Sequence, residues 1–148
     1  MPDVDPAALL AMMPFAVATG IEVDRAAPEE VTGRLAWSPE RCTAGFVMHC
    51  GALMTLADTV GAVCAFLNLP PGATTSTVAS STSLMRGVRG GTARAVARPL
   101  HIGRSFITVL VDVTDDEGRP VAHVTQTQGA RRLIPVRRGA RAAGRASR

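Results

Sequence analysis

A chain of 148 residues that is 47% hydrophobic but only 3% aromatic can fill one core, and must fill it largely with small side chains. All 16 basic residues are arginine and seven of them lie in the last 18 positions, so the formal charge of +4 conceals a body of nine arginines against 12 acids. That distribution argues against a basic nucleic-acid-binding domain, three cysteines without a CxxC spacing argue against a disulfide framework or zinc site, and no apolar run reaches the roughly 20 residues of a membrane span.

The first segment, Met1-Pro2-Asp3-Val4-Asp5, is acidic where a signal peptide is basic, so a cytoplasmic protein is expected. Asp5-Pro6 followed by Ala7 to Met13 reads as a short helix with an acidic cap and Pro in its first turn, which Pro14 ends or bends. Gly20 to Arg25 alternates Ile21 and Val23 with Glu22 and Asp24, a strand. Pro28-Glu29-Glu30 turns the chain. Val31 to Trp37 alternates again, and Ser38 to Gly45 is a loop.

A long helix opens at Met48 or His49 and runs to about Leu67, where Leu69-Pro70-Pro71-Gly72 stops it. It is apolar nearly all round and is expected to be buried on most faces, with Cys64 as a small core residue. Strands then follow one another: Thr74 to Leu84, Thr92 to Leu100, Arg104 to Val113, and Arg119 to Gln128 after the turn Asp115-Asp116-Glu117-Gly118. Connections this short pair strands antiparallel. The expected fold is therefore α+β, one curved antiparallel sheet wrapped around the central helix, with a sheet edge or face left for a partner. Residues 1–130 form the expected domain. Residues 131–148, rich in Arg, Ala and Gly, are expected to be a solvated tail, because neither aromatic interleaving nor a helix-turn-helix pattern accompanies them.

Between Arg41 and Arg86 the only formally charged side chain is Asp58, in the middle of the apolar run Gly51 to Phe66. A carboxylate inside an apolar helix loses hydration, and chains that accept that cost often use the acid for chemistry. His49 stands nine positions earlier and opens the triplet His49-Cys50-Gly51.

The stretch Gly45-Phe46-Val47-Met48-His49-Cys50-Gly51-Ala52-Leu53-Met54-Thr55-Leu56-Ala57-Asp58 resembles the hotdog-fold thioesterases of the PaaI type, whose signature is His-Gly-Gly with an acid nine residues after the His. Thr75-Ser76-Thr77-Val78, Gly103-Arg104-Ser105 and Asp116 to Ala122 are similar to that family's consecutive strands, so the resemblance covers about residues 9–130. It implies hydrolysis of acyl-CoA thioesters, aryl or medium-chain, with coenzyme A as part of the substrate and neither cofactor nor metal. It implies Asp58 as general base or nucleophile, backbone N–H groups of Cys50 and Gly51 as the oxyanion site, His49 organising their loop, and Thr77 placing the water or the acid. It also implies that the acid works with the oxyanion site of a neighbouring subunit, in a homodimer or dimer of dimers. Two positions depart from the pattern. Cys50 replaces a glycine, which an oxyanion donor tolerates if the backbone needs no positive φ. Thr43 replaces the usual polar amide beside the thioester carbonyl, leaving a hydroxyl there.

Arg86, Arg89 and Arg104, with Ser105, are candidates to hold the phosphates of coenzyme A; otherwise they are solvated strand ends. Asp58 has the alternative of a structural acid paired to an arginine or backbone, and His49 that of a helix-start residue. Cys50 as a nucleophile is disfavoured, since adjacent residues rarely face each other as nucleophile and base. As a whole, the alternative to an enzyme is a hotdog module that binds acyl-CoA without turning it over. The motif of the acyl dehydratases on the same fold is not found.

Overall fold

The structure is a computed structural model that describes residues 5–132. Helix α1, Pro6–Ala11, begins at Asp5, whose carboxylate accepts from the Ala7 N–H at 3.0 Å. Pro14 does more than end it. It opens a second helix, α2, Pro14–Thr19, because proline at the first helical position gives up an N–H that had no partner to lose. Gly20, at φ 85°, ends α2 and starts the sheet.

Strands β1 (Ile21–Ala27) and β2 (Glu30–Ala36) form a hairpin, and a 3-10 turn at Pro39–Arg41 leads into the loop before helix α3, Cys50–Leu67. Four strands follow: β3 (Ala73–Leu84), β4 (Thr92–Ile102), β5 (Phe106–Thr114) and β6 (Pro120–Arg132). They form one antiparallel sheet in the order β1-β2-β4-β5-β6-β3. Between β2 and β3 the chain runs through α3 on the inner face, so β3 arrives at the far edge and pairs with β6 rather than with its successor β4. Arg131 and Arg132 belong to β6; residues 133–148 lie outside the described residues.

The sheet wraps α3 as the resemblance implies. Leu53, Leu56, Val60, Val63 and Cys64 of α3 are buried against inward residues of the strands, among them Leu35, Val109, Val111 and Val124. The inward positions of β4 are Ala93, Ala95 and Ala97, all buried, which lets the helix lie close to the sheet. By length and mean hydropathy (1.7) α3 resembles a membrane span, but more than half of it is buried in this core. Burial raises the Cys64 thiol to about 11, so it stays a neutral core group.

One expectation is corrected here. Asp58 is exposed in the single chain, not buried. Cys50, Met54, Asp58 and Phe66 are exposed along one line of α3, at multiples of four residues, with Ala62 half-buried between the last two. The stripe is apolar apart from Asp58.

The β5–β6 turn is organised by Asp115. Its Oδ1 accepts from the N–H groups of Glu117 (3.1 Å) and Arg119 (2.9 Å), and its Oδ2 from the Arg119 Nε at 2.8 Å. Burial opposes the charge, but the Arg119 N–H and guanidinium outweigh it and hold the Asp115 carboxyl below the ordinary carboxylate range. A folded value below the unfolded one of about 3.9 means that stability is gained in full above that value and lost as pH falls through the folded value. The Tm difference between the wild type and Asp115→Asn is therefore expected to be widest at neutral pH and to narrow below about pH 4. A pH series of thermal melts checks it; a difference that stays constant down to pH 3 contradicts it.

Candidate active site

The loop before α3 is held from three sides. Thr43 N–H bonds Val47 O at 2.8 Å, Met48 N–H bonds Val88 O at 2.8 Å, and His49 N–H bonds Arg41 O at 2.8 Å. The Arg41 side chain in turn ties Thr19 O (2.6 Å) and Ala36 O (2.9 Å), fixing the loop to the ends of α2 and β2. Phe46, at φ 57°, is the one non-glycine residue with positive φ among the described residues.

His49 is the N-cap of α3. Its Nδ1 accepts from the Gly51 N–H at 2.8 Å, which requires the tautomer protonated on Nε2. Gly51 makes room for this: a Cβ there would stand 2.9 Å from His49 Nδ1. Of the two N–H groups expected to hold the oxyanion, that of Gly51 is bonded to the ring in this structure. The Cys50 N–H, at the first helical position, has no acceptor among the described residues and lies at the positive end of the helix dipole. Cys50 does not have a positive φ, so the side chain that replaces glycine costs no backbone strain. Thr43 is exposed, and its hydroxyl bonds the adjacent Ala44 O at 3.2 Å.

Two turns into α3, Asp58 meets β3 and β6. Its Oδ1 accepts from Gln126 Nε2 at 2.6 Å and from Thr77 Oγ1 at 3.1 Å. Gln128 Nε2 reaches both Thr77 Oγ1 (3.0 Å) and Gln126 Oε1 (3.2 Å), and Thr75 Oγ1 bonds Gln128 Oε1 at 3.3 Å. No arginine pairs with Asp58 among the described residues. A register shift between Thr77 and Ala79 inserts Val78 as an extra residue. Thr77, which bonds Asp58, and Ser80, which lines the same cleft, are three apart and yet share the Asp58 side, as the inserted residue allows.

Two open clefts flank this face of α3. One of about 640 Å³ is lined by Arg41, His49, Gly51, Thr55 and Phe15; the other, about 420 Å³, by Met54, Thr55, Asp58, Ser80 and Phe15. Thr55 and Phe15 border both, so helix α2 forms one wall of a trough that runs from the helix N-terminus to Asp58.

The candidate phosphate-binding arginines do not come together. Arg86 and Arg89 precede β4, in a cleft with Asp115, Asp116 and Glu117, and Arg89 bonds Gly45 O at 3.1 Å. Arg104 and Ser105 follow β4. Its 11 residues put them about 35 Å away from the first pair. Arg104 shares a cleft of about 860 Å³ with Arg131, and Ser105 O accepts from the Ala130 N–H at 2.8 Å. Arg86, Arg104 and Arg131 have no acidic partner among the described residues, whereas Arg34, Arg94, Arg98 and Arg119 do.

Gln126 and Gln128 were not singled out in the sequence. Both are fully buried. The strand Val124-Thr125-Gln126-Thr127-Gln128 is polar on both faces, so its alternation shows a strand but not which face meets the helix.

The thioesterase superfamily model matches residues 46–122. A Mycobacterium tuberculosis protein provisionally named an esterase is 29% identical over 120 residues, 79% of this chain and 86% of that one. The proofreading thioesterase EntH of Cronobacter sakazakii is 33% identical over 73 residues, 49% of this chain and 53% of that one. A hypothetical thioesterase of Streptococcus pneumoniae, solved with coenzyme A, superimposes with a TM-score of 0.75 at 20% identity, over 83% of this chain and 96% of that one.

Proposed function

The chain belongs to the thioesterase superfamily and is a thioester hydrolase, and from that premise we propose that its substrates are thioesters of coenzyme A with an aryl or medium-chain acyl group, cleaved to the free acid and coenzyme A. The observation that carries this reading is Asp58: a carboxylate alone on an apolar stripe, held by hydroxyl and amide donors through one oxygen and facing a cleft. No arginine neutralises it among the described residues. The coenzyme A in the Streptococcus relative supports the substrate class.

In the proposed reaction, Asp58 takes a proton from water as the water oxygen attacks the thioester carbon. The carbonyl oxygen becomes an oxyanion and is held by the Cys50 N–H. The tetrahedral intermediate collapses, the C–S bond breaks, and the thiolate of coenzyme A recovers the proton from Asp58. Direct attack by Asp58, giving an anhydride that water opens, uses the same two groups.

The separation of the two groups along α3 favours a site shared between two chains. Eight helical steps separate Cys50 from Asp58, about 12 Å of rise. A nucleophilic water about 3 Å from the carbon and a donor about 3 Å from its oxygen stand about 6–7 Å apart, and a base behind that water adds up to about 3 Å, still short of the rise between the two groups. The proposed site therefore joins Asp58 of one copy to Cys50 of another, in a homodimer or dimer of dimers whose contact covers the stripe of Met54 and Phe66. Arg86 with Arg89, and Arg104 with Ser105 and Arg131, are then two separate candidate grips for coenzyme A phosphates, of which the partner copies set the spacing.

A thiol-release assay over a panel of aryl-, medium- and long-chain acyl-CoA esters tests the proposal. Turnover of aryl or medium-chain esters is the expected result. Tight acyl-CoA binding with no thiol released from any ester would overturn it in favour of a binding module, the reading that the residues at Cys50 and Thr43 motivate.

A further inference from the structure

We propose that Gln126 and Gln128 are positioning residues for the reaction, forming a one-directional donor relay that fixes the Asp58 carboxylate by Oδ1 and leaves Oδ2 as the atom that takes the proton. The inference rests on the reading of Asp58 as the base.

The direction of the relay follows from donor and acceptor chemistry. A carboxylate can only accept, so the Gln126 group 2.6 Å from Oδ1 must be its amide nitrogen. Its Oε1 is then turned toward Gln128, which must answer with its own NH2 group, at 3.2 Å. The second hydrogen of that NH2 goes to Thr77 Oγ1 at 3.0 Å. With an acceptor position filled, the Thr77 hydroxyl points its own hydrogen at Asp58 Oδ1, 3.1 Å away. The Thr75 hydroxyl, at 3.3 Å, meets Gln128 Oε1 and sets the orientation of that amide. The hydrogen bonds of Thr75, Gln128, Gln126 and Thr77 thus all run toward one oxygen, and reversing either amide would place like groups against each other. Among the described residues Oδ2 receives no donor.

The placement is costly and therefore informative. Gln126 and Gln128 are both 0% exposed on a strand face that otherwise carries Val124 and packs into an apolar core. Burying two amides is unfavourable unless they are bonded, and an apolar pair would serve packing alone at least as well. The helix also yields space to them: a Cβ on Gly61 of α3 would overlap Gln126 Oε1, so only glycine leaves the amide where Asp58 needs it. Glycine inside a helix is itself unfavourable, and the nearest atom its missing Cβ would meet is that amide oxygen.

The test uses the full-length protein and the acyl-CoA ester turned over best. Gln126→Met, close in volume but without donors, is expected to lower kcat about 10–100-fold with KM within about twofold, since the loss falls on the orientation of the base and not on substrate contacts. Gln128→Met, one step further from Asp58, is expected to lower kcat about 3–10-fold. In an Asp58→Asn background neither change should lower kcat further, because there is no base left to orient. Gly61→Ala keeps every polar group yet displaces Gln126, and should move kcat in the same direction should either methionine variant fold poorly. The proposal is overturned if folded Gln126→Met and Gly61→Ala retain kcat within about twofold of wild type, or if Gln126→Met costs as much without Asp58 as with it. Full activity of Asp58→Asn is a different outcome: it removes the assignment of the base itself, on which the relay depends.

Discussion

Asp58→Asn is expected to reduce kcat for the preferred acyl-CoA ester about 10³-fold while leaving KM within a few-fold and the fold intact. Asparagine has the same shape and keeps a carbonyl oxygen that can accept from Gln126 Nε2 and Thr77 Oγ1, so the surrounding bonds survive. What it removes is the carboxylate that, in the proposed reaction, takes a proton from water or attacks the thioester carbon. General base catalysis contributes about 10²–10⁴-fold, which sets the scale of the loss. The side chain is exposed and unpaired by arginine among the described residues, so the change in stability should stay within about 0.5 kcal/mol. Steady-state thiol release and a thermal melt on the same preparation check both halves. A variant that keeps more than about a tenth of wild-type kcat leaves Asp58 without the role of base.

How much of this was readable from the residues depends on how local each feature is. The strands announce themselves because Val31-Thr32-Gly33-Arg34-Leu35 and Thr92 to Leu100 alternate with a period of two, while Thr74 to Leu84 and Arg104 to Val113 are rich in Thr, Val and other strand formers, and each is a local property. Helix α3 is equally local, and His49, Cys50 and Gly51 fall at its first turn as the spacing expects. Helix α2 was lost to an ambiguity: Pro14 ends one helix and begins the next, and proline permits both. The pairing of β3 with β6 is set by where α3 delivers the chain, which no window of residues records. The exposure of Asp58 depends on which side of a nearly all-apolar helix the sheet covers, and a helix apolar all round carries no such mark. Gln126 and Gln128 stayed hidden because their neighbours Thr125 and Thr127 are polar as well. The distance between Arg89 and Arg104, by contrast, was already fixed by the length of β4 between them.

A mixed dimer of Asp58→Asn and Cys50→Pro chains is expected to recover activity that neither parent has. Cys50→Pro removes the one N–H that has no acceptor at the start of α3, and little else. Proline is favoured at the first helical position, and His49, at φ −61° and ψ 135°, already has the extended backbone that a residue before proline requires. The helix should therefore form normally while losing the proposed oxyanion donor, a change of about 10²–10³-fold in kcat. Each homodimer is then inactive for a different reason. When the two chains are co-expressed with different tags and the mixed dimer is isolated, the geometry of a shared site makes a definite prediction. One site pairs the two altered groups and is dead. The other pairs the intact Asp58 of the proline chain with the intact Cys50 N–H of the asparagine chain, so the mixed dimer should show about half the wild-type activity. Were the base and the donor to act within one chain, both sites would carry a defect and the mixed dimer would be no more active than its parents. Eight helical steps, about 12 Å of rise, separate the two groups, so the experiment measures directly whether this chain completes its active site by meeting a second copy of itself.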